Sequence, residues 1–473
     1  MSVISLALQY RQFMKLTKIW QRISRKNKKK GNPDSPATDP SPNIIDRSDH
    51  ALSRKDMSEH ALKVLYRLKK AKYEGFLVGG GVRDLLLELH PKDFDVATNA
   101  TPEQVRKLFG NCRLIGRRFR LAHVHFGRDI IEVATFRASH DQAGGEGVTK
   151  GGMIVRDNVY GSLEDDAWRR DFTVNALYYN IYDFSIVDYT GGLKDIENKV
   201  IRMIGDADER LQEDPVRMLR AVRFASKLNF KIEDSLSKSI KKNIHLLDGV
   251  PTARLFEEVL KLFLHGHAQA SYELLKEYDL LQHLFRQTAE NLDDAGDRFI
   301  TQALINTDLR IQQGKPIAPA FLYAALLWPA VRAEMVALKY EDLSLLQSYQ
   351  IAGQNVLENQ LKQILIPKRF GIPMREIWTM QARLAVRKGK RPLKLLGVPR
   401  FRAAYDFLLL REQSGETQLK ELGEWWTTIQ KVSDEEKLAM CKKLSSLARN
   451  KGGKKGKGKK HAKKKKKIVK ENG

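Results

Sequence analysis

The chain has 473 residues, 42% of them apolar, and a formal net charge of +26, which gives room for about two to four domains and a substantial core. The charge sits at the ends: residues 1–31 carry about +9 and residues 449–473 about +12, leaving about +5 for the middle. Cys112 and Cys441 lie far apart, which excludes a disulfide framework and a cysteine metal cluster and fits a reducing, cytoplasmic setting. No apolar run reaches the length of a transmembrane segment, and the N-terminus lacks the pattern of a secretory signal.

The basic N-terminal stretch can bind polyanions by counterion release, so RNA, DNA and an anionic membrane surface are its partner classes. Residues 4–23 suit a basic amphipathic helix, either a peripheral membrane contact or an RNA-touching tail. Residues 27–50, rich in Lys, Pro, Asp, Ser and Asn, read as a linker. Ser58 ahead of Leu62, Val64, Leu65 and Leu68 predicts a capped helix.

Phe76-Leu77-Val78 predicts a short strand, ended by Gly79-Gly80-Gly81, with helical spacing over 82–89. Glycines let a backbone approach a ligand closely, and amides at a helix start point at anions. The turn is thus a candidate polyphosphate cradle, with an ordinary turn as the plain alternative. Asp93-Phe94-Asp95 follows. On a strand, its two carboxylates face the same side and repel each other unless a cation lies between them. Mg²⁺ takes such oxygens together with substrate phosphates; a solvated strand face is the alternative. Both features in one strand–turn–helix–strand unit suggest nucleotidyl transfer. The turn is neither a Walker loop, since no Gly-Lys-Ser/Thr follows, nor a Rossmann fingerprint.

Further strands are predicted at 94–97, 113–115, 122–126, 130–136, 175–179 and 186–189, with a helix at 102–109 capped by Thr101. That mixture argues an α+β domain. Gly116-Arg117-Arg118-Phe119-Arg120 lies between two strands and could clamp a triphosphate or RNA; His123 and His125 read as structural. Alternation over 130–137 puts Glu132 on one face and Arg137, a candidate nucleotide-binding residue, on the other. Glu132 joins the carboxylates if its strand lies beside theirs; otherwise it is an ion-pair partner. Residues 139–152 read as a mobile loop. In Arg169-Arg170-Asp171-Phe172-Thr173, guanidiniums beside a carboxylate can bind ribose or phosphate and keep the acid ionised, or form a surface pair. Glu213-Asp214-Pro215 opens a helix carrying Arg217, Arg220 and Arg223, whose acceptors and planar donors suit a base edge or a solvated face. Beyond about residue 205 apolar residues recur at helical spacing, as at Leu255, Val259, Leu262 and Phe263, and strand signal nearly vanishes.

The segments Leu77-Val78-Gly79-Gly80-Gly81-Val82-Arg83-Asp84, Asp93-Phe94-Asp95, Arg169-Arg170-Asp171-Phe172-Thr173 and Glu213-Asp214-Pro215-Val216-Arg217 stand in the order seen in class II nucleotidyltransferases. That superfamily joins CCA-adding enzymes and bacterial poly(A) polymerases. Residues 114–124, the run Pro399-Arg400-Phe401-Arg402-Ala403-Ala404-Tyr405 and the basic tail resemble the poly(A) polymerase branch. The resemblance spans roughly residues 55–430. It implies an α+β fold: a polymerase-β-like nucleotidyltransferase head, then an all-α neck, body and leg, with disordered basic tails. The expected division is a basic tail and linker at 1–55, the head at 56–205, a neck at 206–270, a helical RNA-binding body at 271–440 and a lysine-rich tail at 441–473. The resemblance further implies Asp93 and Asp95 as catalytic carboxylates holding two Mg²⁺, and Asp171 as the third acidic position. It sets Gly79, Gly80 and Arg83 at the triphosphate and Asp214 and Arg217 at the base; Arg137 and Arg170 are further candidate nucleotide-binding residues of this sequence. The activity implied is addition of AMP from ATP to RNA 3′ ends, with RNA-decay proteins as possible partners. A CCA-adding enzyme and a non-catalytic RNA-binding protein are the rivals.

Overall fold

The computed structural model describes residues 41–116, 120–138, 149–150, 153–154, 159–340 and 342–442. The helix expected at 4–23, the clamp residues Arg117, Arg118 and Phe119, and the tail at 449–473 lie outside these residues. So does most of the loop expected at 139–152. The chain forms two compact units that divide between Asn243 and Ile244. The boundary thus falls inside the stretch 206–270 expected to form one neck.

The first unit is built on an eight-stranded sheet. Its strands are β1 (Asn43–Ile45), β2 (Gly75–Val78), β3 (Asp95–Thr98), β4 (Cys112–Ile115), β5 (Leu121–Phe126) and β6 (Asp129–Thr135), joined by β9 (Leu177–Asn180) and β10 (Ile186–Asp188). Two-residue strands β7 (Thr149–Lys150) and β8 (Met153–Ile154) pair with each other. The sheet order is β1-β10-β9-β2-β3-β6-β5-β4. Every neighbouring pair in it is antiparallel except β3 and β6, which run parallel.

Local chemistry fixes the flanking helices. The Ser58 hydroxyl caps Glu59–Lys70, accepting from the His60 and Ala61 amides, and Ala61, Val64, Leu65 and Leu68 turn inward at helical spacing. Thr101 and Gln104 form a reciprocal capping box at Pro102–Leu108. One face of the sheet buries Phe76, Val78, Ala97, Phe136, Tyr178 and Val187 against Ala167 of the helix Leu163–Trp168.

Two expectations shift. The strand expected at 175–179 starts at Leu177, because Thr173–Asn175 is a 3-10 turn whose Asn175 side chain is drawn into hydrogen bonds with Arg83 and Asp171. The expectation of almost no strand beyond 205 missed a small pair: β11 (Val200–Ile201) runs parallel to β12 (Lys231–Ile232). That pair ties the helices Ala207–Glu213, Val216–Leu228 and Asp234–Asn243 to the first unit.

The second unit holds no strand among the described residues. Its principal helices include Thr252–Phe263, Asp294–Gln312, Leu345–Gln363, Lys368–Leu384 and Phe401–Gln413. Trp328, Trp378 and Trp426 are its largest buried side chains. Each of the last two also satisfies its indole N–H, on the Ala324 and Leu384 carbonyls at 3.1 and 2.9 Å. Gly353 admits Trp378 so closely that a Cβ there would sit 2.9 Å from the indole. No single described helix is long and apolar enough to cross a membrane. The bent pair Pro319–Leu326 and Trp328–Ala337 has the length and composition when taken together, but its residues from Leu322 to Val331 are buried in this core.

Candidate active site

The site forms where β2 ends. Gly79 has φ +73° and ψ −135°, a backbone conformation open in practice to glycine alone. Its amide donates to the Leu177 carbonyl at 3.3 Å, so the turn is anchored to β9. The helix Gly80–Leu86 follows at once, and its first amides have no carbonyl one turn earlier to bind.

Pairing register brings the acids to this turn. Val78 lies opposite Asp95 across the antiparallel β2–β3 pair. A Cβ on Gly81 would lie 3.5 Å from the Asp93 carbonyl oxygen and 3.6 Å from the Phe94 ring, so turn and acidic segment are in contact. Asp93 itself precedes the strand, which begins at Asp95 rather than at Phe94 as expected. Both carboxylates are exposed. Asp95 in turn lies opposite Glu132 across the parallel β3–β6 pair. The condition set by the sequence is therefore met: the Glu132 strand does lie beside the acidic one. Glu132 also receives His123 Nε2 at 3.5 Å from the facing position on β5.

Three acids on one rim leave an electrostatic mark. The Asp95 carboxyl is raised to about 6, first by desolvation in the protein surface around it, then by Glu132, with Arg170 opposing and Asp93 adding to the rise. Among the described residues no group of three His, Cys, Asp or Glu could by itself hold a metal ion. The donor set nonetheless suits Mg²⁺, which asks for one or two exposed carboxylates and completes its shell with phosphate and water. A cation held there would compete with a proton for Asp95. Mg²⁺ or Mn²⁺ affinity should hold above pH 6 and fall by about tenfold per pH unit below it, the slope of one linked proton. Mn²⁺ titration followed by electron paramagnetic resonance reads this directly, and an affinity flat from pH 7 to pH 5 contradicts it.

Arg170 stands beside the turn, with Nη1 placed 3.5 Å from where a Gly79 Cβ would be. It is held there: Nη2 donates to Asp166 Oδ2 at 3.0 Å and Nε to the Tyr178 hydroxyl at 2.8 Å. Arg169 binds the other Asp166 oxygen at 3.1 Å. Burial pushes Asp166 up, but the two arginines and Tyr178 outweigh it and hold the acid below the usual carboxylate range. The partner of these guanidiniums is thus Asp166, not the adjacent Asp171 as the sequence suggested.

Asp171, expected as the third acidic position, is bound to the helix Val216–Leu228. Arg220 Nε donates to its Oδ2 at 2.7 Å, while Oδ1 accepts from Asn175 at 3.2 Å and from the Phe172 amide at 2.8 Å. Burial raises its pKa, and the Arg220 pair overrides that and lowers it. An acid so engaged stays ionised and orients its partners.

Arg83, expected at the triphosphate, points inward and is only 1% exposed. Its guanidinium binds Asp84 and Asn175, because the helix begun by the glycines turns position 83 toward the interior. Arg137 lies beyond the end of β6, 8% exposed and bridged to Tyr160. Asp214 terminates the helix Ala207–Glu213, and its carboxylate accepts from the Val216 amide at 3.2 Å. Arg217 pairs with Glu213 at 2.8 Å. Arg210 links this corner to the head by donating to the Arg169 and Arg170 carbonyls at 2.6 and 2.7 Å.

The residues missed from the sequence are Asp166, Asn175, Tyr178 and Arg210. One signal was available: Asp166 lies four residues before Arg170, the spacing of a helical ion pair.

A glycine turn joined to strand-borne acids on a mixed sheet, followed by helices, defines a nucleotidyltransferase with a polymerase-β-like head. Family models described as "Poly A polymerase head domain", "Probable RNA and SrmB- binding site of polymerase A" and "Polymerase A arginine-rich C-terminus" match residues 75–202, 229–292 and 341–467. Poly(A) polymerase I of Salmonella typhimurium is 50% identical over 411 residues, 85% of this chain and 88% of its own, and that of Haemophilus influenzae 43% over 414 residues, 86% and 92%. The chain belongs to the poly(A) polymerase I family.

The CCA-adding enzyme of Lactobacillus helveticus is 36% identical over 225 residues, 48% of this chain and 55% of its own. Among solved structures, the Bacillus stearothermophilus CCA-adding enzyme in complex with CTP matches at a TM-score of 0.50 and 25% identity, over 79% of this chain and 82% of that one. The Thermotoga maritima CCA-adding enzyme complexed with tRNA matches at 0.55 and 19% identity, over 85% and 99%, a likeness of fold alone.

Proposed function

We propose that the chain is a template-independent poly(A) polymerase that transfers AMP from ATP to the 3′-hydroxyl of RNA and releases pyrophosphate. The observation that carries this reading is the register of β3, which sets Asp95 beside the glycine turn on one side and beside Glu132 on the other. Family membership at 50% identity over most of the chain supports the choice of activity.

In the reaction the RNA 3′-oxygen forms a bond to the α-phosphorus while the bond from that phosphorus to the bridging oxygen breaks on the opposite side. The hydroxyl proton passes from the attacking oxygen to solvent water, and pyrophosphate departs with the bridging oxygen. The protein contributes position and charge rather than covalent help. The glycine turn lets the triphosphate approach main-chain amides. Arg170, fixed by Asp166 and Tyr178, keeps a positive charge beside it. Asp93 and Asp95 would hold Mg²⁺, with Glu132 adjacent; the ion when bound acidifies the 3′-hydroxyl and neutralises phosphate charge. Asp214 and Arg217 meet the base, and Asp171 acts through Arg220 rather than as the proton acceptor. Basic residues of the helical unit and the tails hold RNA without reading its sequence.

The full chain incubated with a generic RNA, Mg²⁺ and either ATP or CTP tests this. The expected result is a long ladder with ATP and at least about tenfold less product with CTP. Products limited to a few residues on tRNA-like acceptors would establish a CCA-adding enzyme instead, and RNA binding without incorporation a non-catalytic module.

A further inference from the structure

We infer that Asp84 and Lys227, with the buried Arg83 between the head's glycine turn and Asn175, are positioning residues for nucleotide selection. They close a polar ring that fixes the helix bearing Arg217 against the helix that the glycine turn begins. This rests on the adenylyl-transfer reading of the site.

The ring starts and ends on the helix Val216–Leu228. Lys227 Nζ donates to Asp84 Oδ2 at 2.7 Å. Asp84 Oδ1 accepts from Arg83 Nε at 2.9 Å and Nη2 at 2.7 Å. Arg83 Nη1 reaches Asn175 Oδ1, whose amide nitrogen donates to Asp171 Oδ1 at 3.2 Å. Asp171 Oδ2 closes the ring on Arg220 Nε at 2.7 Å. Arg220 and Lys227 stand about two helical turns apart, so they share one face. Phe224 lies between them: its ring centre is 5.1 Å from the Arg83 guanidinium carbon, 5.4 Å from that of Arg220, and 5.7 Å from the Phe172 ring, edge to face.

Arg83 and Asp84 are 1% and 5% exposed. Buried ion pairs add little net stability, because desolvation offsets attraction, yet their hydrogen bonds fix direction. The ring is therefore an orienting device. Its head half lies on the helix Gly80–Leu86, which the triphosphate seat begins; its other half lies on the helix that carries Arg217, paired to Glu213. ATP and CTP share a ribose triphosphate, so the seat alone cannot tell them apart. Discrimination needs a fixed offset between seat and base-contacting positions, and the ring supplies it.

Asp84→Asn strips a buried guanidinium of its carboxylate and endangers the fold, so Lys227→Met carries the test; the lysine side chain is 36% exposed. Three quantities are read: kcat/KM for ATP and for CTP on one RNA, hydrogen exchange of the amides in 216–228, and Tm. The ATP-to-CTP ratio should fall about tenfold, mainly through KM for ATP. Exchange in 216–228 should quicken, Tm should move by less than about 2 °C, and Lys227→Arg should restore the ratio. An unchanged ratio overturns the inference, as does unchanged exchange. An equal loss with both nucleotides overturns it too, by reducing the ring to a structural contact. The wild type run alongside separates the two levels: if it extends RNA with neither nucleotide, the functional reading fails, whereas a selective wild type beside an equally selective variant sinks only the ring.

Discussion

Asp95→Asn should lower AMP incorporation by about 10³-fold while leaving the binding of generic RNA intact. It removes a charge that the proposed chemistry requires and the metal-free fold resists. The Asp95 pKa rises from its ordinary value to about 6 in the folded chain, so the sign of the linkage is clear. Protonated Asp95 is tolerated at low pH, and stability is lost as pH rises through 6 and the carboxylate ionises beside Glu132 and Asp93. At pH 7.5 without divalent ions the amide variant should therefore melt higher, by about 2 °C, because the carboxylate is exposed and solvent screens part of the repulsion. Saturating Mg²⁺ should reverse that order by stabilising the wild type alone. A variant that retains activity within tenfold of wild type would remove Asp95 from the site.

Gly79→Ala should cost about 1–3 kcal/mol of stability and sharply reduce ATP use, for a reason in the backbone rather than in space. The new Cβ would meet Arg170 Nη1 at 3.5 Å, an ordinary contact. The conformation at φ +73°, ψ −135° is what an L-residue resists. Relief of that strain would rotate the peptide that starts the helix Gly80–Leu86 and move the amides offered to phosphate. Gly81→Ala is the control: Gly81 is helical, its Cβ would touch the Asp93 carbonyl oxygen at 3.5 Å, and alanine favours helices. Urea unfolding of the pair, with KM for ATP, separates backbone strain from crowding. Equal effects of the two substitutions would refute the argument.

The parts of the site that were legible in the sequence are those made by residues close in the chain. The glycine turn, the Asp93–Asp95 pair, the Ser58 and Thr101 caps and the helical second unit each follow from a short window of composition and period. What stayed hidden depends on pairing between distant segments. Glu132 becomes a neighbour of Asp95 only through the β3–β6 register, and the partner of Asp171 is 49 residues away on a helix. Arg83 shows what a local reading leaves out. Its place after the glycines suits a phosphate ligand, and its Nη2 does lie 3.5 Å from where a Gly80 Cβ would be, but its bonds to Asp84 and to the distant Asn175 could not be read from the local sequence. Likewise Arg169 and Arg170 adjoin Asp171 in sequence yet bind Asp166, because helix geometry favours the residue three or four positions back over the next one along.

The parallel seam between β3 and β6 has a consequence for how this protein is made. Strands that run the same way cannot be joined by a tight turn. The connecting chain must first travel through the helix Pro102–Leu108 and the β4–β5 hairpin before β6 can dock. Asp95 and Glu132 thus meet only when that crossover has closed, so the acidic rim is complete only in the finished head.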